Sequence, residues 1–365
     1  MKILQVGLGN NPGGVEAFVM NYYRELAGQG ISFDFVSMYG KIAYEEEILR
    51  LGGRVFYVPN VKKDYFGYVK QLKALLDREK YDVVHVNMLS AANIVPLRLA
   101  HQAGVRKVIA HSHSTFAPGL ARGLLDKVNR KGLNQYADRK LACSEKAGRW
   151  LFGDNAFDSG QVRLVQNAID LDRYGFSPES RSELRGKYGW EGCLVVGHVG
   201  RFQTEKNHSA IGEIFREAVN KDPRVRLCLV GDGELRGQIQ EKLEKEGLSE
   251  KVLFAGVRQD VEKYLCAMDV FLFPSLYEAL PFTVLEAQAS GLPCVISDTI
   301  PREAVLAEEN VTALSLDAGW GRWADVVLEY GRRGRTDGRM TADRFKEAHL
   351  DIKEEASRLL AIYGD

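Results

Sequence analysis

Only five cysteines occur in the 365 residues, and none belongs to a Cys-x-x-Cys pair. Cys143, Cys193, Cys228, Cys266 and Cys294 are odd in number and widely spaced, mostly in apolar runs such as Arg226-Leu227-Cys228-Leu229-Val230. That excludes a disulfide scaffold and predicts buried, reduced thiols rather than a nucleophile or metal ligands. Net charge is missing too: 49 Lys and Arg balance 49 Asp and Glu, so bulk charge gives no reason to expect nucleic acid as a partner. No apolar run approaches the ~20 residues that span a bilayer. The chain opens on strand-like Met1-Lys2-Ile3-Leu4-Gln5-Val6 without the basic-then-apolar layout of a signal peptide, and a cytoplasmic location is expected. Short-period repeats and low-complexity tracts are absent.

What the chain has is alternation. Apolar runs at 2–6, 31–38, 54–58, 82–87, 106–111, 139–143 and 162–165 are separated by helix-period segments such as 14–28, 65–78, 90–103 and 145–152. Strands separated by helices predict crossover units and a parallel sheet covered on both faces. Between 168 and 191 the rhythm reads as irregular linker, and it restarts with runs at 193–199, 225–230, 252–255, 269–273 and 293–296. The fold class expected is therefore α/β, with two Rossmann-like, doubly wound domains facing across a cleft. The first spans 1–170 and the second 171–340, while a helical tail at 341–365 follows. Ligand crevices of such sheets open at the carboxyl ends of the strands.

Three loops at those ends carry candidate chemistry. The loop Gly7-Leu8-Gly9-Asn10-Asn11-Pro12-Gly13-Gly14 offers a superficial dinucleotide signature, but Pro12 holds the third glycine's place and Asp34 lies inside a strand-like run. Gly13 and Gly14 instead read as opening a helix whose amides could approach an anion, or as a tight turn that needs glycine. In Gly200-Arg201-Phe202-Gln203-Thr204-Glu205-Lys206-Asn207, Arg201 and Lys206 could neutralise a diphosphate without a metal; the alternative is a solvated surface pair. The third loop runs from strand-like Phe271-Leu272-Phe273 to Glu286. Pro281 suits a first helical position, leaving the amides of Leu280, Phe282 and Thr283 at a positive helix end. Glu286 lies one turn further in, where an unpaired carboxylate would be costly and ribose hydroxyls would satisfy it. Glu278 lies before the helix, within reach of a sugar hydroxyl.

Two weaker candidates remain. His111 and His113 end a strand of the first half, with His113 directed at the crevice. Asp170-x-Asp172 looks like a metal-binding pair, yet it precedes the linker, where turn chemistry competes.

Together these stretches resemble glycosyltransferase family 4, of the kind found in bacterial exopolysaccharide and capsule synthesis. The matching residues are Gly13-Gly14, His111-Ser112-His113, Asn167 to Asp170, Gly200-Arg201 with Lys206, and Gly231-Asp232-Gly233. They also include Glu278 through Glu286 and Gln288-Ala289-Ser290-Gly291-Leu292-Pro293, in order over nearly the whole chain. The resemblance implies the GT-B fold, with the last helix crossing back onto the first domain, and metal-independent transfer with retention of anomeric configuration. It implies that Arg201 and Lys206 hold the diphosphate, Glu286 the ribose and Glu278 the transferred sugar. His113 and Gly13-Gly14 would meet the donor, and the backbone near Val257-Arg258 the base. Ala279 and Ala168 stand where the family commonly has glycine; the first departure leaves sugar identity open, and the second bears only on the hinge.

The expected co-substrate is thus a UDP-sugar, with no cofactor and no metal. The expected acceptor is a glycan or lipid-linked glycan. Rival readings are a sugar-nucleotide epimerase or hydrolase on the same double fold, or a non-catalytic sugar-nucleotide binder. Finally, 119–140 carries Arg122, Lys127, Arg130, Lys131, Arg139 and Lys140 against Asp126 and Asp138, a local net of +4, with Leu120, Leu124, Val128 and Leu133 near helical spacing. With Lys62-Lys63-Asp64-Tyr65-Phe66-Gly67-Tyr68, it predicts peripheral contact with the anionic inner face of a membrane. An ordinary helix with a solvated basic face is the competing reading.

Overall fold

In the computed structural model, which describes residues 1–115, 119–278 and 280–365, strand and helix alternate through almost the whole chain. Two compact units result: Met1–Ala168 joined by Ile352–Asp365, and Ile169–Asp351. In the first, β1 (Lys2–Val6), β2 (Ser32–Ser37), β3 (Arg54–Tyr57), β4 (Val83–Met88), β5 (Lys107–Ser112), β6 (Arg139–Ala142) and β7 (Val162–Leu164) form one seven-stranded sheet. Its order is β3-β2-β1-β4-β5-β6-β7, with every pairing parallel. In the second, β8 (Leu194–Val199), β9 (Val225–Val230), β10 (Val252–Gly256), β11 (Val270–Phe273), β12 (Cys294–Ser297) and β13 (Val311–Leu314) take the order β10-β9-β8-β11-β12-β13, again all parallel.

The central strands β4, β5, β8 and β11 are buried at every position, as expected of a sheet covered on both faces. Each unit packs its own core, around Leu4, Val84, Val86 and Val108 in the first and Val196, Leu227, Leu272 and Trp323 in the second. Cys143, Cys228, Cys266 and Cys294 are buried and Cys193 half-buried, all as free thiols. Among the described residues no helix is long and apolar enough to cross a membrane.

The structure differs from the sequence expectation at three places. The segment read as linker holds helices Leu171–Tyr174 and Pro178–Tyr188. The second is capped at both ends: the Ser177 hydroxyl accepts from the Ser180 amide, and Gly189 closes it in the left-handed region at φ 65°. Only Leu184 is buried on it, so its sequence has no apolar stripe. Charge docks it instead, through ion pairs from Arg181 and Arg185 to Asp269 at 2.5 and 2.9 Å. The edge strand β13 is four residues long and only partly buried, too weak a pattern to be read from sequence. The segment that joins the first unit is also shorter than 341–365: helix Gly338–Glu347 packs on helix Phe282–Ala289 of the second unit.

Helix Ile352–Gly364 packs against helix Gly14–Leu26 within the first unit. Cations hold its carbonyl end, where the dipole favours them. Lys107 Nζ donates to the carbonyls of Ile362 at 2.6 Å and Tyr363 at 3.1 Å, and Arg106 to Tyr363 at 3.2 Å.

Candidate active site

In the second unit the candidate residues gather where β8, β9, β10 and β11 end. Close approach is possible because of glycine: a Cβ on Gly231, at φ +133°, would lie 2.1 Å from the Gly200 carbonyl oxygen. The turns after β8 and β11 are then tied together. The Leu276 amide donates to the Glu205 carbonyl at 2.8 Å, and the Asn207 side-chain amide donates to the Pro274 carbonyl at 3.1 Å. Asn207 precedes helix His208–Lys221 in the left-handed region at φ 54°, but its side chain ties the loops rather than capping the helix.

That tie sets the central pair. Lys206 Nζ lies 2.5 Å from Glu278 Oε1, with side-chain exposures of 17% and 15%, and 4.8 Å from the centre of the Phe273 ring. Arg201 is exposed on the same loop. Ala279 lies outside the described residues.

Helix Phe282–Ala289 begins one residue later than expected. Pro281 is its cap, at φ −77° and ψ 111°, and its carbonyl accepts from the amides of Val284 at 3.2 Å and Leu285 at 3.4 Å. The amides of Phe282 and Thr283 therefore precede the first internal bond of the helix, as donors at its positive end. Leu280 is buried beside them, and Thr283 Oγ1 is buried with no partner among the described residues.

Glu286 is buried in this helix at 6% exposure. It already has one partner in the protein, the Tyr174 hydroxyl, which bonds it. Burial, then the Glu286 charge, push the Tyr174 phenol well above its ordinary pKa. After β10, Val257 is exposed and the Arg258 guanidinium turns onto Asp260 with two 2.9 Å bonds, 5.1 Å from the Tyr264 ring centre.

In the first unit, Gly7 at φ +110° lets β1 and β4 end side by side; a Cβ there would lie 2.2 Å from the Asn87 carbonyl oxygen. Gly13 caps helix Gly14–Leu26, and a Cβ on Gly14 would meet open space. Polar side chains then alternate along the strands. Asn87 Nδ2 donates to the Val6 carbonyl at 3.2 Å and to Gln5 Oε1 at 3.0 Å, which turns Asn87 Oδ1 toward His113 Nε2, 3.0 Å away. His113 must therefore carry its proton on Nε2 and keep Nδ1 as an acceptor. Tyr363 works similarly: its oxygen accepts from Gln5 Nε2 at 3.2 Å, so its proton goes to His85 Nδ1 at 2.7 Å. His85 Nε2 then donates to His111 Nδ1 at 3.1 Å. Burial lowers the pKa of His85 and His113 to about 3 and that of His111 well below its ordinary value, so all three imidazoles are neutral at neutral pH.

Gln5, His85, Asn87, Tyr174 and Tyr363 were not among the sequence candidates. Three of them, Gln5, His85 and Asn87, carry one legible signal, a polar residue inside a largely apolar strand. Asp170 caps the short helix Leu171–Tyr174, its Oδ1 accepting from the amides of Asp172 at 3.1 Å and Arg173 at 3.0 Å. Among the described residues no cluster of three or more His, Cys, Asp or Glu is arranged to hold a metal ion.

Both units match known families separately. Residues 12–173 match the model described as Glycosyltransferase Family 4, and residues 193–329 the model described as Glycosyl transferases group 1. The crystal structure of HepE from Anabaena with UDP and glucose is similar at a TM-score of 0.78 and 19% identity, over 100% of both chains. Two parallel-sheet α/β units of this topology define the GT-B class of glycosyltransferases. A putative glycosyltransferase of Bacillus subtilis, EpsF, is 34% identical over 370 residues, spanning 100% of this chain and 96% of that protein. The UDP-Gal:alpha-D-GlcNAc-diphosphoundecaprenol alpha-1,3-galactosyltransferase of Escherichia coli is 30% identical over 261 residues, 67% of this chain and 66% of that one. This chain belongs to glycosyltransferase family 4 and is an enzyme of the hexosyltransferase type.

Proposed function

We propose that the enzyme moves a hexose from a UDP-sugar to a glycan or lipid-linked glycan in cell-surface polysaccharide synthesis, with retention and without a metal. The observation that carries this reading is the Lys206–Glu278 pair beside the helix end at Phe282. In a nucleotide sugar, one bridging oxygen separates the β-phosphate from the anomeric carbon. A cation for the phosphate and a carboxylate for the sugar must therefore adjoin, and here they touch. Arg201 adds a second cation for the diphosphate, and the amides of Phe282 and Thr283 add fixed dipoles. Glu286, supported by Tyr174, takes a ribose hydroxyl, while the Leu280–Pro281 backbone lines that position. The backbone of Val257 and Arg258 takes the base. In the first unit, the reading assigns Gly13-Gly14 and the neutral His113 to the donor, with His113 Nδ1 accepting from a sugar hydroxyl.

Breaking the bond between the anomeric carbon and the bridging oxygen leaves both electrons on the diphosphate, where the cations and amides stabilise them. The sugar acquires oxocarbenium character. The acceptor hydroxyl adds to the same face as a β-phosphate oxygen takes its proton, so no covalent nucleophile is required. UDP in the HepE crystal and the UDP-galactose in the E. coli relative's name support the choice of nucleotide. Turnover of UDP-hexose with excess EDTA tests the metal-free reading: the rate should be unchanged. Loss of activity on chelation, restored by magnesium or manganese, would overturn it.

A further inference from the structure

The second unit holds a cavity outside the position given to the donor. It lies beside the start of helix His208–Lys221 and along helix Arg236–Lys245, with a volume of about 570 Å³. That is within the ~300–1,000 Å³ of small-molecule sites. Its described lining includes none of Arg201, Lys206, Glu278 or Glu286, yet Gln203, Thr204 and Leu276 come from the same two turns as that group.

Local geometry keeps the cavity open. A Cβ on Gly233 would lie 2.6 Å from the Phe202 carbonyl oxygen, so only glycine lets the turn after β9 close on the turn after β8. The Leu235 amide then donates to that carbonyl at 3.1 Å and fixes where helix Arg236–Lys245 begins. Farther along, Lys242 pairs with Glu213 and joins the two helices. Between these ties stands His208, 2% exposed and stacked on Phe202 at 4.0 Å between ring centres. Neither of its ring nitrogens has a partner among the described residues. Burial lowers its pKa to about 4, so the ring is neutral at neutral pH.

The lining selects the ligand. Glu241 and Glu246 balance Lys242 and Lys245, so the walls carry no net charge and favour neither an anion nor a cation. Leu235, Ile239 and Leu276 supply apolar surface. Gln203, Thr204, Ser209 and Gln238 supply amides and hydroxyls that both donate and accept. A wholly apolar ligand would strand those groups without water. A pyranose satisfies both, with C–H faces for the leucines and neighbouring hydroxyls for the amides.

We propose that this cavity is a second carbohydrate site, which holds a short uncharged stretch of the glycan that the enzyme extends. It rests on the reading above for the source of that glycan. Because the Leu276 amide bonds the Glu205 carbonyl at 2.8 Å, an occupant would brace the two turns that carry Lys206 and Glu278.

The test is titration calorimetry of the full chain with maltotriose, cellotriose and trigalacturonate, each with and without saturating UDP. At least one of the two neutral trisaccharides should bind at millimolar concentration, and UDP should not displace it. Trigalacturonate, the acidic counterpart, should bind no better. Ser209 and Gln238 are exposed, and Ser209→Ala with Gln238→Ala should weaken trisaccharide binding on the order of tenfold. That variant should keep the wild-type unfolding temperature and UDP affinity. Failure of both neutral trisaccharides to bind overturns the proposal, as does their displacement by UDP or undiminished binding by the variant. Binding of trigalacturonate alone would also overturn it, by making the cavity an anion site. UDP affinity, measured in the same titrations, judges the donor reading separately.

Discussion

The two units share a strand order around their centres, 3-2-1-4-5-6 counted along each, and both bring strand ends together through a positive-φ glycine, Gly7 in one and Gly231 in the other. What they place at those ends differs. The first unit carries a buried network of neutral imidazoles and amides, reaching from Asn87 and His113 to Tyr363 of the last helix. The second carries opposite charges, Lys206 against Glu278, next to a helix end. A neutral network fixes hydrogen-bond directions and resists protonation, whereas a charged pair is suited to stabilise charge that moves during a reaction. Under the proposed function, one topology would thus supply shape recognition in one copy and charge handling in the other.

The largest effect that could break this contrast is removal of 352–365. Ile352, Leu359, Ile362 and Tyr363 are all buried in the first unit, and each such side chain contributes about 1.5–3 kcal/mol. Their sum rivals the ~5–15 kcal/mol stability of a whole domain. Calorimetry of the truncated chain should lose the first unit's transition and keep the second's. Retention of both would show that the network does not depend on Tyr363.

Next in size is a division within the second unit. Glu286→Ala should weaken UDP binding by about 1.5–3 kcal/mol, roughly tenfold to a hundredfold. Glu278→Ala should spare UDP affinity and depress turnover. Titration calorimetry and initial rates separate the two, and equal losses of UDP affinity would remove the distinction between ribose and sugar positions.

A separate effect is acid sensitivity. In the first unit His85 and His113 titrate only near 3 and His111 well below its ordinary value, while the unfolded chain takes up protons near 6.5. Their contribution is therefore whole above about pH 6.5 and is lost as pH falls toward 3. Of the second unit's histidines, burial lowers His198 well below its ordinary value and His208 to about 4. Unfolding scans at pH 7 and about 5 should move the first unit's transition down further than the second's.

Much of this was legible in sequence for a physical reason: buried parallel strands are continuous apolar runs, and glycine, cations and carboxylates after them stand out. Helix Pro178–Tyr188 was hidden because arginine–carboxylate bonds dock it in place of an apolar stripe. Tyr174 was hidden because its partner Glu286 lies more than a hundred residues away in sequence. On helix Leu120–Tyr136 the outward turn of Leu124, Leu125 and Val128, with Arg122 and Arg130 bonded internally, was also invisible, since spacing gives an apolar face but not the side it turns to. Only the Ala91 and Ala92 backbone, which claims Asp126 and Asn129, decides that.

The central claim is that charge in the second unit holds the diphosphate, and titration calorimetry of UDP with wild type and Lys206→Ala tests it most directly. Wild type should bind UDP, and the substitution should weaken binding by about 1.5–3 kcal/mol, since a charge-assisted bond is lost. If UDP, GDP and ADP all fail to bind wild type at millimolar concentration, or if Lys206→Ala binds UDP as wild type does, the account is contradicted.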